Sequence, residues 1–275
     1  MAVRKYEGMK YDQQGVTLVS DPLTIEEALQ IRINGKAFTL TMRTPGADPE
    51  LIRGMLHAEA VLNSTGFHPR IALQKENEAG IITAVDLEIP EAYLGSGYAN
   101  TRSLLSVSSC GICGKTELDQ QGFTGAALEG VAAFQPALFS GMFEQMNRRQ
   151  ADFMQSGGTH AAAVFDASGT LMVAREDIGR HNAVDKAVGR LLLDGRLKEA
   201  RAMTVSGRIS YEIVIKAFKA GIPFLAAVSA PSSLAVDYAK ELGITLLGFC
   251  REGRATCYSH SHRIADPLMA APEPK

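Results

Sequence analysis

The sequence has no tryptophan, only four cysteines in 275 residues, and no long apolar run. So few cysteines cannot form the dense disulfide framework that stabilises small secreted domains. The longest apolar segments, Gly221–Val228 and Gly243–Cys250, are much shorter than the roughly 20 residues that a membrane-spanning helix needs. Residues 1–11 are rich in charge and contain no apolar core, so we expect no secretory signal and a cytoplasmic protein.

An excess of one charge is missing as well. The chain has 28 Lys and Arg against 30 Asp and Glu, so bulk electrostatic binding to nucleic acid is not expected. Because 46% of the residues are hydrophobic, the chain cannot be wholly disordered. Its length suits one large domain or two modest ones, at roughly 100–200 residues per domain.

The first hundred residues predict an α+β unit. Apolar and polar residues alternate over Leu29–Ile33 and again over Phe38–Met42, with Asn34-Gly35 between them. This pattern is typical of a β-hairpin with a tight turn. Asp48-Pro49 predicts the start of a helix, with the aspartate as its N-cap. A further alternation over Ile81–Ile89 predicts another strand.

A stretch rich in glycine and serine, Gly95–Gly130, follows this unit and has the composition of a connector. We therefore place a domain boundary near residue 130. The prediction is an α+β domain over residues 1–130, ending in a mobile loop, and a second domain over residues 131–275.

The second half alternates strands with helices. A helix begins at Pro136, with apolar spacing that continues to Phe153, and a hairpin joins Ala161–Phe165 to Thr170–Ala174. The helices predicted next are Asn182–Leu193, Ser210–Ala220 and Ser232–Leu242, and the strands are Ala202–Ser206, Pro223–Val228 and Ile244–Phe249. Such alternation predicts an α/β fold in which helices flank a parallel or mixed sheet. Ligands of such sheets bind beyond the carboxyl ends of the strands.

The sharpest local motif is a Cys-x-x-Cys pair, Cys110 and Cys113, within the glycine-rich stretch. Two thiols at this spacing can exchange disulfides, bind a metal, or pass sulfur between them. Lys115 would favour the thiolate form by its charge. A thioredoxin-like motif, however, would follow an early strand in a much shorter chain.

Zinc is the second reading of this pair. A structural zinc site needs four ligands, and the other two cysteines, Cys250 and Cys257, are distant in sequence. The segment His57-Ala58-Glu59 partly resembles a zinc deaminase pattern, but no proline precedes Cys110. We interpret His57 as a surface or hydrogen-bonded histidine. Sulfur transfer, in which one cysteine holds a persulfide, is the third chemistry open to the pair.

Polar and basic residues gather at the predicted strand ends, where an anion could bind a helix N-terminus or an arginine fork. These candidates are Gly158, His160, Arg180, His181, Asn182, Arg208 and Ser229. The predicted last strand is followed by a charged segment with two arginines, Arg251 and Arg254, which suit a phosphate or pyrophosphate group.

Several long motifs resemble one known family. They are SSCGICGK at Ser108–Lys115, GTHAA at Gly158–Ala162, EDIGRHNAVDK at Glu176–Lys186, SGRISYE at Ser206–Glu212, GIPFLAAVSAPSSLA at Gly221–Ala235 and GITLLGFCR at Gly243–Arg251. They occur in order from about Asp48 onward. In this respect the chain is similar to the formate dehydrogenase accessory sulfurtransferase family, FdhD.

The resemblance implies a sulfurtransferase of the cytoplasm. Such a protein carries sulfur from a cysteine desulfurase to the molybdenum cofactor of formate dehydrogenase, in its bis(molybdopterin guanine dinucleotide) form. The resemblance also implies a homodimer whose C-terminal domain is similar to cytidine deaminases but lacks their zinc ligands. No metal of its own, no nucleic acid and no membrane would then be bound.

The resemblance also assigns roles to residues. Cys110 would carry the persulfide and Cys113 would accept or relay its sulfur. The stretch Phe249, Cys250, Arg251, Glu252, Gly253 and Arg254 would contact the guanine dinucleotide, without a catalytic role for Cys250. We add the strand-end candidates above to this pocket.

Two other functions are open at this point. The protein could be a chaperone that only holds and delivers the molybdenum cofactor, or a thiol–disulfide oxidoreductase that cycles a Cys110–Cys113 disulfide.

Overall fold

The computed structural model of the protein describes residues 2–99, 126–129, 133–251 and 253–265. Its strands form three sheets. The strands are β1 (Val3–Asp12), β2 (Gly15–Thr24), β3 (Glu27–Ile33), β4 (Lys36–Arg43), β5 (Arg70–Glu76), β6 (Ile82–Glu88), β7 (His160–Phe165), β8 (Leu171–Asp177), β9 (Ala202–Val205), β10 (Phe224–Ala227), β11 (Thr245–Arg251) and β12 (Arg254–Ser259). The helices are α1 (Asp48–Ala58), α2 (Ser96–Ala99), α3 (Pro136–Asn147), α4 (Ala151–Ser156), α5 (Arg180–Leu193), α6 (Tyr211–Lys219) and α7 (Ser233–Glu241).

The first two sheets come from the N-terminal half. Strands β1 and β2 form an antiparallel two-stranded hairpin, and the second sheet has the order β4-β3-β6-β5. Asn34 and Gly35 both have positive φ at the β3–β4 turn, as the predicted hairpin requires. Helix α1 packs Leu51 and Leu56 onto the apolar face of this sheet, which confirms the predicted α+β unit.

The third sheet has six strands in the order β12-β11-β10-β9-β7-β8. Strands β9, β10 and β11 are parallel, whereas β7, β8 and β12 pair antiparallel with their neighbours. Helices α5, α6 and α7 cover one face and α3 covers the other. The predicted mixed α/β fold is therefore confirmed. The boundary at residue 130 lies outside the described residues and stays a prediction.

Alternating residues of β7 serve both faces of this sheet. Ala162 and Val164 join the core under α5 and α6, while Ala163 and Phe165 pack against α3. All of them are fully buried, so the strand carries no polar side chain between its ends. This three-layer arrangement fixes the sheet edges, where the polar residues emerge.

Three sequence predictions about element ends are wrong. Ala47, not Asp48, is the N-cap of α1, because the Asp48 carboxylate instead accepts a 2.9 Å hydrogen bond from Arg43 Nε. The helix begun at Pro136 ends at Asn147, so Phe153 belongs to α4. The strand that carries Phe249 is not the last one, since β12 returns beside it.

Helices α1 and α5 approach each other through two glycines. A Cβ atom at Gly54 would lie 1.9 Å from the carbonyl oxygen of Asp185, and one at Gly189 would lie 1.8 Å from that of Glu50. Both obstacles are backbone atoms of the facing helix, which cannot rotate away. The two glycines therefore hold the four-stranded sheet, through α1, against the helix layer of the six-stranded sheet.

A Gly54→Ala substitution is expected to destabilise the protein by about 1–3 kcal/mol, because the α1 and α5 backbones must separate. The measurement is the free energy of unfolding in urea. Gly141→Ala in α3 is the matched control, since its Cβ would meet no atom within 4 Å. The control should be neutral or stabilising by about 0.5–1 kcal/mol. Equal stability of the two variants would contradict the proposed close packing.

Candidate functional site

Most of the residues predicted at strand ends, namely His160, Arg180, His181, Arg208 and Ser229, lie at one edge of the six-stranded sheet. Strands β9, β10 and β11 end there, and the segments that follow them are joined by backbone hydrogen bonds. Ile209 N donates to Ala230 O at 3.1 Å, and Phe249 N donates to Ser229 O at 3.1 Å. Because neighbouring strands lie about 4.8 Å apart, the three strand ends span roughly 10 Å. We call this edge, formed by the ends of β9, β10 and β11, the carboxyl edge.

Strand β7 runs the opposite way, so its first residue, His160, lies at the same edge. The Ser206 hydroxyl accepts a 2.9 Å hydrogen bond from Ala161 N, and Ser206 N donates to Ala161 O at 3.0 Å. These two bonds fix the turn after β9 against the start of β7. His160 is thereby placed beside that turn.

Helix α5 begins beside His160, and Asp177 shapes its start. Gly179 is the N-cap of α5, and its N–H donates to Asp177 Oδ1 at 2.8 Å. The first two residues of the helix, Arg180 and His181, are thus presented at the carboxyl edge. The positive end of the helix dipole adds to the charge of Arg180 there.

His160, Arg180 and the Gly207 turn are in close contact. A Cβ atom at Gly207 would lie 3.1 Å from His160 Nδ1 and 3.6 Å from Arg180 Cβ. Arg180 Nε is buried and has no hydrogen-bond partner within the described ranges. Arg208, the next residue of the turn, is exposed. We call His160, Arg180 and Arg208 the cationic cluster, after the charges of its two arginines.

The cluster shifts the acid–base behaviour of His160. Burial lowers the pKa of its imidazole, and the charges of Arg180, His181 and Arg208 lower it further. His160 is therefore mainly neutral at pH 7 and sits in a positive potential. An anion placed here would meet a guanidinium donor that has no other described partner.

His181 is anchored in a different way. Its Nε2 lies 2.9 Å from Ser210 Oγ and 3.1 Å from Glu212 Oε2. These contacts join the start of α5 to the start of α6. The His181 ring is thus held in place by contacts with α6, next to the cluster.

Two other sequence candidates have local roles. The Asn182 amide nitrogen donates to Met42 O at 2.8 Å and to Asp177 Oδ1 at 3.1 Å, so it ties α5 to β4. Gly158 lies against Thr24 at the base of the β1–β2 hairpin, where a Cβ would come within 2.7 Å of Thr24 Oγ1. The structure does not place either group in the cationic cluster.

The predicted segment after the third parallel strand is a β-hairpin rather than a loop. Arg251 in β11 pairs with Arg254 in β12, and Gly253 has the positive φ of a turn residue. Directly opposite residues of an antiparallel pair project to the same face, so both arginines are neighbours there. Phe249 is 42% exposed and adopts a φ of 55°. Glu252 lies outside the described residues.

Cys250 points away from this edge into the core under α3. Burial raises the pKa of its thiol to about 11, so almost no thiolate forms at neutral pH. Burial also raises the pKa of Cys257, whose thiol donates to Ser259 O. Cys110 and Cys113 lie outside the described residues.

The described part of the chain contains no candidate metal site, and His57 has a hydrogen-bond partner there instead of a metal. No group of three His, Cys, Asp or Glu residues there could hold a metal ion. His57 Nε2 lies 3.0 Å from Lys219 O, which confirms its interpretation as a hydrogen-bonded histidine. In the same ranges, no helix is long and apolar enough to cross a membrane.

Two residues that contribute to the structure of this edge were missed by the sequence reasoning. Asp177 was not among the predicted site residues, although its carboxylate accepts from Gly179 N and Asn182 Nδ2 and so organises the start of α5. An acidic residue two positions before a helix-starting glycine was the signal available. Tyr258 lies beside Gly248 at the carboxyl edge, where a Cβ on that glycine would be 3.2 Å from Tyr258 Cε2. No sequence motif marked this tyrosine.

Comparison with protein families agrees with the sequence motifs that resemble FdhD. The FdhD/NarQ family model matches residues 24–265, which is most of the chain.

The chain belongs to the FdhD/NarQ family.

Its similarity to curated FdhD proteins extends over nearly the whole length. It is 42% identical to the sulfur carrier protein FdhD of Streptomyces avermitilis over 264 residues, covering 91% of this chain and 92% of that protein. It is 38% identical to the sulfur carrier protein FdhD of Saccharolobus solfataricus, covering 95% and 98%. The resemblance inferred from the FdhD motifs is thus confirmed.

A solved structure shares the fold. A candidate formate dehydrogenase accessory protein from Desulfotalea psychrophila superimposes with a TM-score of 0.72 at 21% identity, covering 96% of this chain and 100% of that one. The mixed α/β architecture is therefore shared beyond clear sequence identity. The FdhD/NarQ match begins at Thr24, where strand β2 ends.

Proposed function

We propose that this FdhD/NarQ protein is a cytoplasmic sulfur carrier, acting as a homodimer, for the molybdenum cofactor of formate dehydrogenase. It would take sulfane sulfur from a cysteine desulfurase onto Cys110 and deliver it to the bis(molybdopterin guanine dinucleotide) form of the cofactor. The observation that carries the proposal is the cationic cluster of His160, Arg180 and Arg208, in a chain whose relatives are named sulfur carrier proteins.

The molybdenum cofactor enters this proposal as a substrate. Its guanine dinucleotide contains a pyrophosphate, and the buried Arg180 Nε is a donor without a described partner that an oxygen of this group could satisfy. The paired Arg251 and Arg254 provide two further forks at the end of β11. The ends of β9 and β11 are roughly 10 Å apart. A bound dinucleotide could therefore place its pyrophosphate near the cationic cluster and a nucleoside near Arg251 and Arg254.

Loading would be an exchange between sulfur atoms. The Cys110 thiolate attacks the terminal sulfur of the desulfurase persulfide. The sulfur–sulfur bond of the donor breaks, a new one forms on Cys110, and the desulfurase thiolate leaves. No net oxidation occurs, because a sulfane sulfur simply changes its carrier.

Delivery needs two electrons, since the metal receives sulfide. The Cys113 thiolate would attack the inner sulfur of the Cys110 persulfide and form a Cys110–Cys113 disulfide. The terminal sulfur then leaves as hydrosulfide, which binds the metal. A cellular dithiol reductant, such as a thioredoxin-type protein, would return the pair to two thiols by exchange.

The remaining cysteines support this assignment. Because the pKa of Cys250 is raised to about 11 and that of Cys257 is also raised, neither presents a thiolate attacker at neutral pH. In the sequence, Cys110 and Cys113 lie among glycines and next to Lys115 instead.

Mass spectrometry after incubation with a cysteine desulfurase and L-cysteine tests the proposal. We expect an adduct of one sulfur atom on the peptide that contains Cys110, removable by a thiol reductant. The peptides that contain Cys250 and Cys257 should stay unmodified and serve as internal controls. Absence of an adduct, with nucleotide binding intact, would favour a cofactor chaperone. A reversible disulfide with insulin-reducing activity but no adduct would favour an oxidoreductase.

A further inference from the structure

His160 differs from the other histidines at or near the packed core. Its ring has no hydrogen-bond partner within the described residues, whereas the rings of His57 and His181 are both engaged. It lies half-buried at the first position of β7, against the Gly207 turn. The imidazole is thus positioned by packing against the Gly207 turn and not by a described hydrogen bond.

The groups that face His160 come from three elements. Arg180 and His181 approach from the start of α5, Arg208 from the turn after β9, and Asp177 from the end of β8. Asp177 is fully buried, and its Oδ2 forms an ion pair with Lys186 Nζ at 2.7 Å, so its charge is already compensated. The net charge around His160 is therefore positive. Protonation of its imidazole is unfavourable until an anion binds nearby.

We propose that His160 is a proton-coupled anion receptor, which takes up one proton when a pyrophosphate group binds beside Arg180 and Arg208 and loses it when the ligand leaves. This inference deepens the proposed function and rests on it for the class of ligand. A bound phosphate oxygen reverses the local potential and supplies an acceptor for the imidazolium N–H. Before binding, a neutral His160 spares the free site an additional uncompensated charge.

The sign of the resulting pH dependence follows from linkage. Burial and the neighbouring cations hold the pKa of His160 below its ordinary value in the free protein, and a bound anion raises it. Between those two values the complex holds one more proton than the free protein. Affinity should therefore weaken as pH rises through this window, by at most about tenfold per pH unit for one proton.

This dependence would favour release of the dinucleotide when the pyrophosphate contacts open. Loss of one contact lowers the pKa of His160 again, the proton leaves, and the remaining attraction weakens. Binding and release of the dinucleotide would then be coupled to the gain and loss of one proton on His160 at the carboxyl edge.

Titration calorimetry with diguanosine pyrophosphate tests the inference. The bridging phosphates of this probe are diesters that stay ionised across the neutral range, so any proton taken up must come to the protein. Binding is measured in two buffers of different ionisation enthalpy at neutral pH and at a higher pH. The variants are His160→Gln, which keeps a hydrogen-bonding side chain without the titration, and His262→Gln, an exposed control in the turn Ser261–Arg263.

We expect proton uptake of up to one per site in the wild type and in His262→Gln, and none in His160→Gln. The affinity of His160→Gln should be severalfold weaker at neutral pH and nearly independent of pH. Binding without proton uptake, or uptake that persists in His160→Gln, would overturn the inference and leave the proposed function standing. No binding of the probe by the wild type would overturn the proposed dinucleotide site itself, and the inference with it.

Discussion

Replacing Cys110 with alanine is expected to abolish the activation of formate dehydrogenase while leaving the binding of diguanosine pyrophosphate unchanged. The substitution removes the only sulfur atom that can hold the persulfide in the proposed cycle. The proposed nucleotide contacts are those of Arg180, Arg208 and the Arg251–Arg254 pair at the carboxyl edge, and the proposal gives this thiol no part in nucleotide binding. The expected loss is complete, since Cys250 and Cys257 are held as thiols by their raised pKa values.

The measurement pairs an enzyme assay with calorimetry. Formate oxidation is followed in extracts of a strain that lacks its own sulfur carrier and is complemented with each variant. Cys257→Ala is the matched control, because it also removes one thiol from the chain and should complement fully. Full complementation by Cys110→Ala would contradict the assignment of the persulfide. Loss of both activation and nucleotide binding would instead indicate that the substitution disturbs the fold.

The sequence predicted those parts of the fold in which local pattern and tertiary burial agree. Residues Leu29–Ile33 alternate because one side of β3 is buried and the other is not. Asn34-Gly35 adopts positive φ, as its turn demands. Parallel strands end at a common edge, so polar residues after Val205 and Ala227 had to lie close together.

Other features depend on information that no local pattern contains. Strand β5 has only exposed residues, so its sequence carries no alternation to detect. Asp48 would cap its helix in isolation, but the buried guanidinium of Arg43 binds its carboxylate instead. The pairing of Gly54 with Asp185 depends on which helices meet, which periodicity along one helix does not show.

The candidate site also has features that the sequence predicted and features that it did not. Residue type and strand-end position predicted the neighbourhood of His160, Arg180 and Arg208, because those side chains follow from the topology. They did not predict that the amide of Asn182 is used to hold β4, or that Cys250 is turned into the core. Those orientations are decided by packing against residues far away in the sequence.

Asp177→Asn is expected to destabilise the protein by about 3–5 kcal/mol, the usual cost of leaving one charge of a buried pair uncompensated. Asp177 is 0% exposed, and its carboxylate lies 2.7 Å from the ammonium of Lys186, which is itself 2% exposed. The same carboxylate accepts hydrogen bonds from Thr44 N, Gly179 N and Asn182 Nδ2. An amide keeps the shape but offers donors where Thr44 and Lys186 also donate.

The test is urea denaturation of Asp177→Asn beside Asp194→Asn, which removes a charge from an exposed pair with Arg190 and should change the unfolding free energy by less than about 1 kcal/mol. A double variant with Lys186→Met should recover part of the loss, because it removes the unpaired charge as well. Equal stability of the two single variants would show that the buried pair is not what holds α5 in place. Since Asp177 also fixes Gly179 N beside Arg180, a folded Asp177→Asn protein should bind diguanosine pyrophosphate more weakly, which ties the stability of this network to the geometry of the site.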